Sequence, residues 1–278
     1  YETENGLSPQ EAVPVAGSAV SYALASNGKD YTGIEDGDKN TTIGDVIYMP
    51  ASGWGTLLFE DLWPSYGDFD FNDFVINYKV QLHMNNKNKV WGMHIGVRVK
   101  AVGGSLPYDL CLAMKGVKGG EIDGIEPVEM YNTGNARLVA LNSANYASAT
   151  NPNRQSGAAY VNTEEGFEMT EAQLVNASFF VEFRNSIAIG DVAFDTFDFF
   201  LSRERDGNNI EIHMGGFEPT PDAEPDYAFL KAGSAATDKA GDYYYSNDRL
   251  VWALNIPHDI RHPYEKVDFL KAYPEMAD

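Results

Sequence analysis

Five acidic side chains crowd one short stretch of this chain. Glu60 and Asp61 lie in Leu57-Leu58-Phe59-Glu60-Asp61-Leu62-Trp63-Pro64, and Asp68, Asp70 and Asp73 in Gly67-Asp68-Phe69-Asp70-Phe71-Asn72-Asp73. Carboxylates this close repel one another, which disfavours their ionised forms. A hard cation removes that cost, and Ca²⁺ accepts about 6–8 oxygen ligands from carboxylates, carbonyls and water. Asp68, Asp70 and Asn72 fill the first, third and fifth positions of D-x-[DN]-x-[DN]. Asp73 stands where an EF-hand has glycine, and Lys79 where it has its bidentate glutamate, so the stretch is not an EF-hand. The candidate metal ligands are Asp68, Asp70, Asn72, Asp73, Glu60 and Asp61, with Ca²⁺ the expected cofactor. The competing reading is a solvated acidic turn with an Asx cap and no ion. Interleaved Phe69 and Phe71 favour the cation, because they draw the acids toward an apolar core where unpaired charge is expensive.

Glu211 and His213 form the other constellation. In Ile210-Glu211-Ile212-His213-Met214 the strand period sends Ile210, Ile212 and Met214 to the core and the acid and imidazole together to the opposite face. Such a pair serves as an acid/base couple, as part of a second metal site, or as a structural hydrogen bond. Spacing supplies no third ligand and no nucleophile, so the structural reading leads. A glycosidase would need two carboxyls about 5–9.5 Å apart across a cleft, and Asp68 or Asp70 with Glu211 is the nameable pair. Nothing in the spacing indicates a cleft, and a carboxylate engaged with a cation is a poor proton donor. No catalytic residue is assigned, and the chain reads as non-enzymatic. Asp36-Gly37-Asp38-Lys39-Asn40 reads as a turn before a second cation site, and His258 and His262 as loop histidines. Tyr146 and Tyr243-Tyr244-Tyr245 are the aromatics that suit a carbohydrate-binding alternative.

The elements that hold these residues read as strands. The chain has 278 residues with 26 Gly, 13 Pro, 16 Tyr, 15 Phe and 4 Trp, and many short apolar runs separated by turn residues. The acidic loop sits between two strands, because Phe74, Ile76, Tyr78 and Val80 alternate with Val75, Asn77 and Lys79. Residues 90–100 alternate most clearly: Trp91, Met93, Ile95, Val97 and Val99 face the core and Gly92, His94, Gly96, Arg98 and Lys100 face solvent. The turn Asn85-Asn86-Lys87-Asn88 pairs that strand antiparallel with residues 74–82. Further strands are expected around Cys111, at Ala136–Leu141, Ala177–Phe183, Phe194–Ser202, Ile210–Gly216 and Arg249–Pro257, and short helices at Thr170–Gln173 and Pro263–Tyr273. The fold class is mainly β, an antiparallel, jelly-roll-like β-sandwich with long loops and one or two short helices. Residues 1–44 are a polar segment contributing at most one strand, and residues 45–278 the folded domain, with an inserted or second lobe considered around 116–190.

Charge narrows the partners. The formal net charge is −21, which repels nucleic acid and anionic membranes. The lone Cys111 allows no intramolecular disulfide and reads as a buried hydrophobe. No signal peptide or membrane-length apolar run is present, so no direct membrane insertion is expected, and the polar start at Tyr1 fits a mature or trimmed terminus.

The collected residues resemble the LruC domain proteins of bacterial cell envelopes, common in Bacteroides-type organisms. Their hallmark is similar to F-E-D-x-W-P-x-x-G-D-x-D-F-N-D-x-V-x-x-Y, met here by Phe59-Glu60-Asp61, Trp63-Pro64, Gly67-Asp68, Asp70-Phe71-Asn72-Asp73, Val75 and Tyr78. Later blocks also match: Phe197 to Leu201, Glu211-Ile212-His213 with Pro219-Thr220, and Trp252-Ala253 through Pro257, Tyr264-Glu265-Lys266 and Ala272-Tyr273-Pro274. The resemblance implies a β-sandwich of an exported or lipid-anchored protein, at the cell surface, outer membrane-anchored or periplasmic. It implies an acidic loop similar to extracellular calcium loops and lends weight to Glu211. The expected role is adhesive or structural, toward an extracellular protein or glycan.

Overall fold

The computed structural model describes residues 43–114, 117, 122–126, 130–132, 136–141, 161–170, 173–192, 197–223 and 243–276. The Asp36–Asn40 turn, Tyr146 and the apolar stretch 19–25 lie outside them.

The strands are β1 (Ile43–Met49), β2 (Gly55–Phe59), β3 (Phe74–Asn85), β4 (Lys89–Ala101), β5 (Asp109–Met114), β6 (Ile122–Glu126), β7 (Met130–Asn132), β8 (Ala136–Leu141), β9 (Asn176–Ala188), β10 (Phe197–Arg205), β11 (Asn208–Ile212) and β12 (Ala253–Ile256). They form two antiparallel sheets in a mainly-β fold. One runs β12-β2-β3-β4-β9-β6 with β1 also on β3, and the other runs β11-β10-β5-β8-β7. β2 pairs with the start of β3 and β1 with its end, so the two lie in succession along one edge of β3. Residues 116–190, considered as a separate lobe, supply β6 and β9 to the first sheet and β7 and β8 to the second.

Facing residues of the two sheets share one apolar cluster. It joins Leu57, Ile76, Val97 and Phe179 to Leu112, Phe199, Leu201 and Ile212, with the Tyr78 and Phe199 rings 5.2 Å apart. The β3–β4 turn closes on Asn85, whose Oδ1 accepts from the N–H groups of Lys87 and Lys89, while Asn88 takes φ 55°. Asparagine tolerates that left-handed conformation better than most residues.

Two expectations about β4 are corrected. His94 was expected on a solvent face and is buried, as are Arg98 and Lys100. The chain 257–263 crosses that face: Lys100 Nζ donates to Asp259 and to the Ile260 carbonyl, and Arg98 donates to Asn77 and lies over the Trp54 ring. Alternation identifies the two faces of a strand but not whether a distant segment covers the polar one. Trp91 was expected beside Met93. A register shift between Val90 and Gly92 turns it instead toward His83 and Phe180, at ring separations of 5.7 Å from each.

The helix expected over 263–273 is one turn, α1 (Phe269–Ala272), capped by the Asp268 side chain on the N–H groups of Leu270 and Lys271. Lys266 has φ 64° and gives its N–H to Asp70, so the preceding residues bind the acidic loop instead of entering a helix.

Candidate metal centre

The connection between β2 and β3 is a hairpin loop whose neck is fixed by the Phe59–Phe74 pair. Glu60 follows directly on β2, and its N–H donates to the Trp252 carbonyl at 2.9 Å. Asp73 precedes β3 and accepts from the Asp61 N–H at 2.8 Å. Within the loop Phe69 and Phe71 take φ of 57° and 53°, a conformation that non-glycine residues adopt only when their surroundings hold them. The hold is apolar. Phe71 packs on Phe269 at 5.6 Å, and both belong to a cluster completed by Leu58, Val75, Ala101, Ala272 and Tyr273.

This backbone brings Glu60, Asp68 and Asp70 together, with one oxygen of each within 4.8 Å of the others. Oxygens on opposite sides of a Ca²⁺ ion lie about 5 Å apart at ligand distances of about 2.3–2.6 Å, so the spacing fits a shared divalent cation. Glu60 and Asp70 are buried and Asp68 is exposed. Glu60 Oε1 accepts from the Phe71 N–H at 2.8 Å, and its buried Oε2 has no hydrogen-bond partner. Gly67 lies against that oxygen so closely that a Cβ would stand 1.8 Å from it. Asp70 accepts from the N–H of Asn72 at 3.1 Å and of Lys266 at 2.7 Å. Among the described residues no Lys or Arg side chain ion-pairs with Glu60, Asp68 or Asp70.

Of the remaining predicted ligands, Asp61 and Asp73 are not part of that group, and Asn72 has a buried Oδ1 without a hydrogen-bond partner. Asn72 Nδ2 donates to the Pro263 carbonyl at 3.2 Å, and Gly103 closes on Asn72 Oδ1 from the other direction. Asp61 and Asp73 meet at the neck, beside Gly104, whose N–H donates to the Asp73 carbonyl at 3.1 Å.

The electrostatics follow from burial. Burial lifts the Glu60 carboxyl to about 7, opposed by the Phe71 N–H and reinforced by the charges of Asp70 and Asp68. Burial likewise lifts Asp70 to about 7 against the Lys266 N–H, with Asp68 adding to the rise. Asp73 goes to about 8 through burial and then the neighbouring Asp61. Asp61 is raised by burial, opposed by the Leu106 backbone and by Arg203. Crowded carboxyls of this kind gain by sharing protons or a cation.

Glu211 and His213 belong to a different cluster. His213 is buried, with Nδ1 2.7 Å from Asp198 Oδ2 and Nε2 2.9 Å from Glu211 Oε2. Glu211 also accepts from the Thr220 N–H and hydroxyl and from Asn209 Nδ2. Two ionised carboxylates only accept hydrogen bonds, so the imidazole between them carries both protons. Burial alone would lower its pKa, but the Asp198 charge and the hydrogen bonds to both acids raise it to about 9. The ring stacks on Phe200 at 4.2 Å and meets Tyr244 at 4.9 Å. Asp198 was not singled out from the sequence, although the Asp206-Gly207 turn could have found it. Both residues have positive φ, closing β10 on β11 with Arg205 opposite Asn208. Continuing that register sets His213 across from Phe200, with Asp198 on the same face of β10.

Of the aromatics considered for sugar stacking, Tyr244 is fully buried between Trp63 and His213, and Tyr245 lies under the Arg249 guanidinium at 3.8 Å. His262, within the 257–263 crossing, is buried, and His258 is exposed.

The fold and site thus define a mainly-β domain of two antiparallel sheets with an acidic cluster able to chelate a divalent cation. Among the described residues no helix is long and apolar enough to cross a membrane. The chain belongs to the family described as "Domain of unknown function (DUF4842)", which it matches over residues 88–278. No curated protein and no solved structure matches it. The matched stretch begins at the β3–β4 turn, yet β4 pairs with β3 and β12 with β2, so the folded unit extends N-terminal to it. The acidic loop lies in that N-terminal part.

Proposed function

We propose that this is a non-enzymatic β-sandwich module of an exported, cell-surface protein, with Glu60, Asp68 and Asp70 holding a structural Ca²⁺ ion. The observation that carries the reading is Glu60 Oε2, a buried and unpartnered carboxylate oxygen inside a cluster of three acids. The donors are all oxygen, which suits a hard cation, and the exposed Asp68 side leaves room for water to complete a shell of about 6–8 ligands. The ion fixes the loop between β2 and β3, and with it the C-terminal segment that hydrogen-bonds to that loop. An adhesive or structural role toward an extracellular protein or glycan follows from the resemblance to LruC domain proteins. The shared core of the two sheets supports the sandwich, with a jelly-roll-like connection of its strands.

Calorimetric melting in Ca²⁺ and in chelator tests the proposal. Ca²⁺ at a hundredfold excess over its Kd adds about 2.7 kcal/mol, which raises the Tm by about 5 °C or more in a chain of this size. Asp68→Ala, at an exposed position, lowers the Tm in Ca²⁺ and leaves the chelated protein unchanged. Superimposable wild-type curves with and without Ca²⁺ remove the ion from the account.

A further inference from the structure

The loop that carries the acidic cluster also walls a cavity of about 520 Å³, within the roughly 300–1,000 Å³ range of small-molecule sites. Leu62, Pro64 and Leu106 give it apolar surface, and Arg203 and Arg205 from the end of β10 bring two guanidinium groups to the same space. Asp61 is the acid on its wall.

Two arginines on one cavity are a local reversal in a chain with 20 basic and 41 acidic side chains. Arg203 is half-buried over the Tyr108 ring at 5.1 Å, and its buried Nε has no hydrogen-bond acceptor. Arg205 is about half exposed, with a loose 3.7 Å contact to the exposed Asp206. A guanidinium offers a planar fork of donors that matches a carboxylate, and an unused buried donor costs free energy until an acceptor arrives. Asp61 on the wall and Asp206 beside Arg205 offset part of that charge, and Arg203 also bonds the Tyr108 side chain, so the two guanidinium groups suit a single carboxylate better than a phosphate dianion. Leu62 is 49% exposed, a large apolar side chain in open solvent beside the arginines. It supplies the surface for an apolar group on the ligand.

We infer that this cavity binds a monocarboxylate carried on a compact apolar group, its carboxylate on Arg203 and Arg205 and its apolar part on Leu62, Pro64 and Leu106. Peptide C-termini with an apolar last side chain and free short-chain acids share this chemistry. The cavity stands on its own geometry. Its dependence on Ca²⁺ rests on the cation reading above, because Glu60 and Asp68 flank residues 61–66 and a cation joining them fixes the Leu62–Ser65 wall.

Titration calorimetry with N-acetyl-leucine, hexanoate and the neutral N-acetyl-leucinamide tests the inference on the full chain, in Ca²⁺ and in chelator. At least one carboxylate binds about tenfold or more tighter than the amide, the scale of a charge-assisted hydrogen bond. Arg205→Met, at a surface position where folding is not at risk, weakens that binding about tenfold. Binding of N-acetyl-leucine alone identifies a peptide C-terminus, and of hexanoate as well, a free acid. Equal binding of the amide, no binding of either acid, or an unchanged affinity in Arg205→Met overturns the inference. Carboxylate binding that survives chelation at full strength overturns the coupling to Ca²⁺ while upholding the cavity. A Ca²⁺-dependent Tm without carboxylate binding upholds the cation reading and overturns the cavity.

Discussion

The backbone N–H of Lys266 donates to Asp70 Oδ2 at 2.7 Å, across 196 residues of sequence. Phe269 N–H donates to the Phe69 carbonyl at 2.8 Å, and Asn72 Nδ2 to the Pro263 carbonyl, so the C-terminal segment is stitched to the acidic loop at three points. Asp70 therefore acts both as a cluster carboxylate and as a latch. Asp70→Ala removes the acceptor and leaves a partly buried N–H unsatisfied, at a cost of about 1–3 kcal/mol. Urea denaturation is expected to show that loss even in chelator, where Asp68→Ala shows none. Hydrogen exchange adds a local readout, with the Lys266 amide exchanging faster in Asp70→Ala than in the parent protein.

Gly67 gives an independent probe of Glu60. A Cβ there would meet Glu60 Oε2 at 1.8 Å, so Gly67→Ala must displace the carboxylate, the loop or both. Overpacking of this kind costs about 1–3 kcal/mol. The expected outcome is a lower denaturation midpoint together with a loss of Ca²⁺ stabilisation. Gly53→Ala in the β1–β2 connection, where no atom lies within 4 Å of the added methyl, strains only its own backbone and keeps the Ca²⁺ response.

Many strands were legible in the side chains: β3 and β4 fall where a period of two places them, β5, β8, β9 and β10 overlap short apolar runs, and β11 overlaps the expected 210–216 strand only at Ile210–Ile212. The crowding of Glu60 with Asp68 and Asp70 was legible too, since a hairpin loop returns its ends to one another. The membership of each cluster was less so. Asp61 and Asp73 fall outside the group of Glu60, Asp68 and Asp70 and meet each other at the neck, whereas Asn72 gives its Nδ2 to Pro263 and keeps a buried Oδ1 without a hydrogen-bond partner. The burial of Lys100, and of Arg98 through Asn77, involves the 257–263 crossing, a contact between segments some 160 residues apart that periodicity does not encode.

That crossing supplies a further test. Lys100 Nζ is 2.6 Å from Asp259 Oδ1, with side-chain exposures of 8% and 15%, and Asn77 Nδ2 donates to the same oxygen at 3.0 Å. Removing one member of a buried ion pair strands the other, at about 3–5 kcal/mol. Asp259→Ala is expected to fall in or just below that range, given the residual exposure of the pair. Lys100→Met in the Asp259→Ala background recovers part of the loss, because no unpaired charge remains. A double-mutant cycle in urea measures the coupling, and additive losses would show that the pair contributes no interaction of its own.

The pH dependence of stability is set most clearly by His213. Asp198 on β10, Glu211 on β11, the Thr220 turn, Phe200 and Tyr244 surround its ring, and the two acids face its two nitrogens. Its folded pKa is about 9, against about 6.5 for an unperturbed imidazole. A base whose pKa rises on folding contributes stability that is complete below the unfolded value and is lost as pH climbs through the folded one. The alkaline loss therefore spans about pH 6.5–9. Burial would raise the Glu211 pKa, but the hydrogen bonds and charge of His213 bring it below the ordinary carboxyl value, so its contribution is lost on the acid side as pH falls. Tyr244 lies well above its ordinary value through burial and then the charges of Glu211 and Asp198, so it stays neutral across the window. Melting temperatures taken in saturating Ca²⁺, which keeps Glu60 and Asp70 ionised, are expected to fall steadily from pH 6.5 to 9. Asp73 adds to the fall, because its carboxyl, raised to about 8, ionises in the same window. In His213→Gln one amide cannot donate to both acids, so stability is lower at every pH and the fall between pH 6.5 and 9 flattens. An unchanged alkaline slope in that variant would refute a charged imidazole between the two carboxylates.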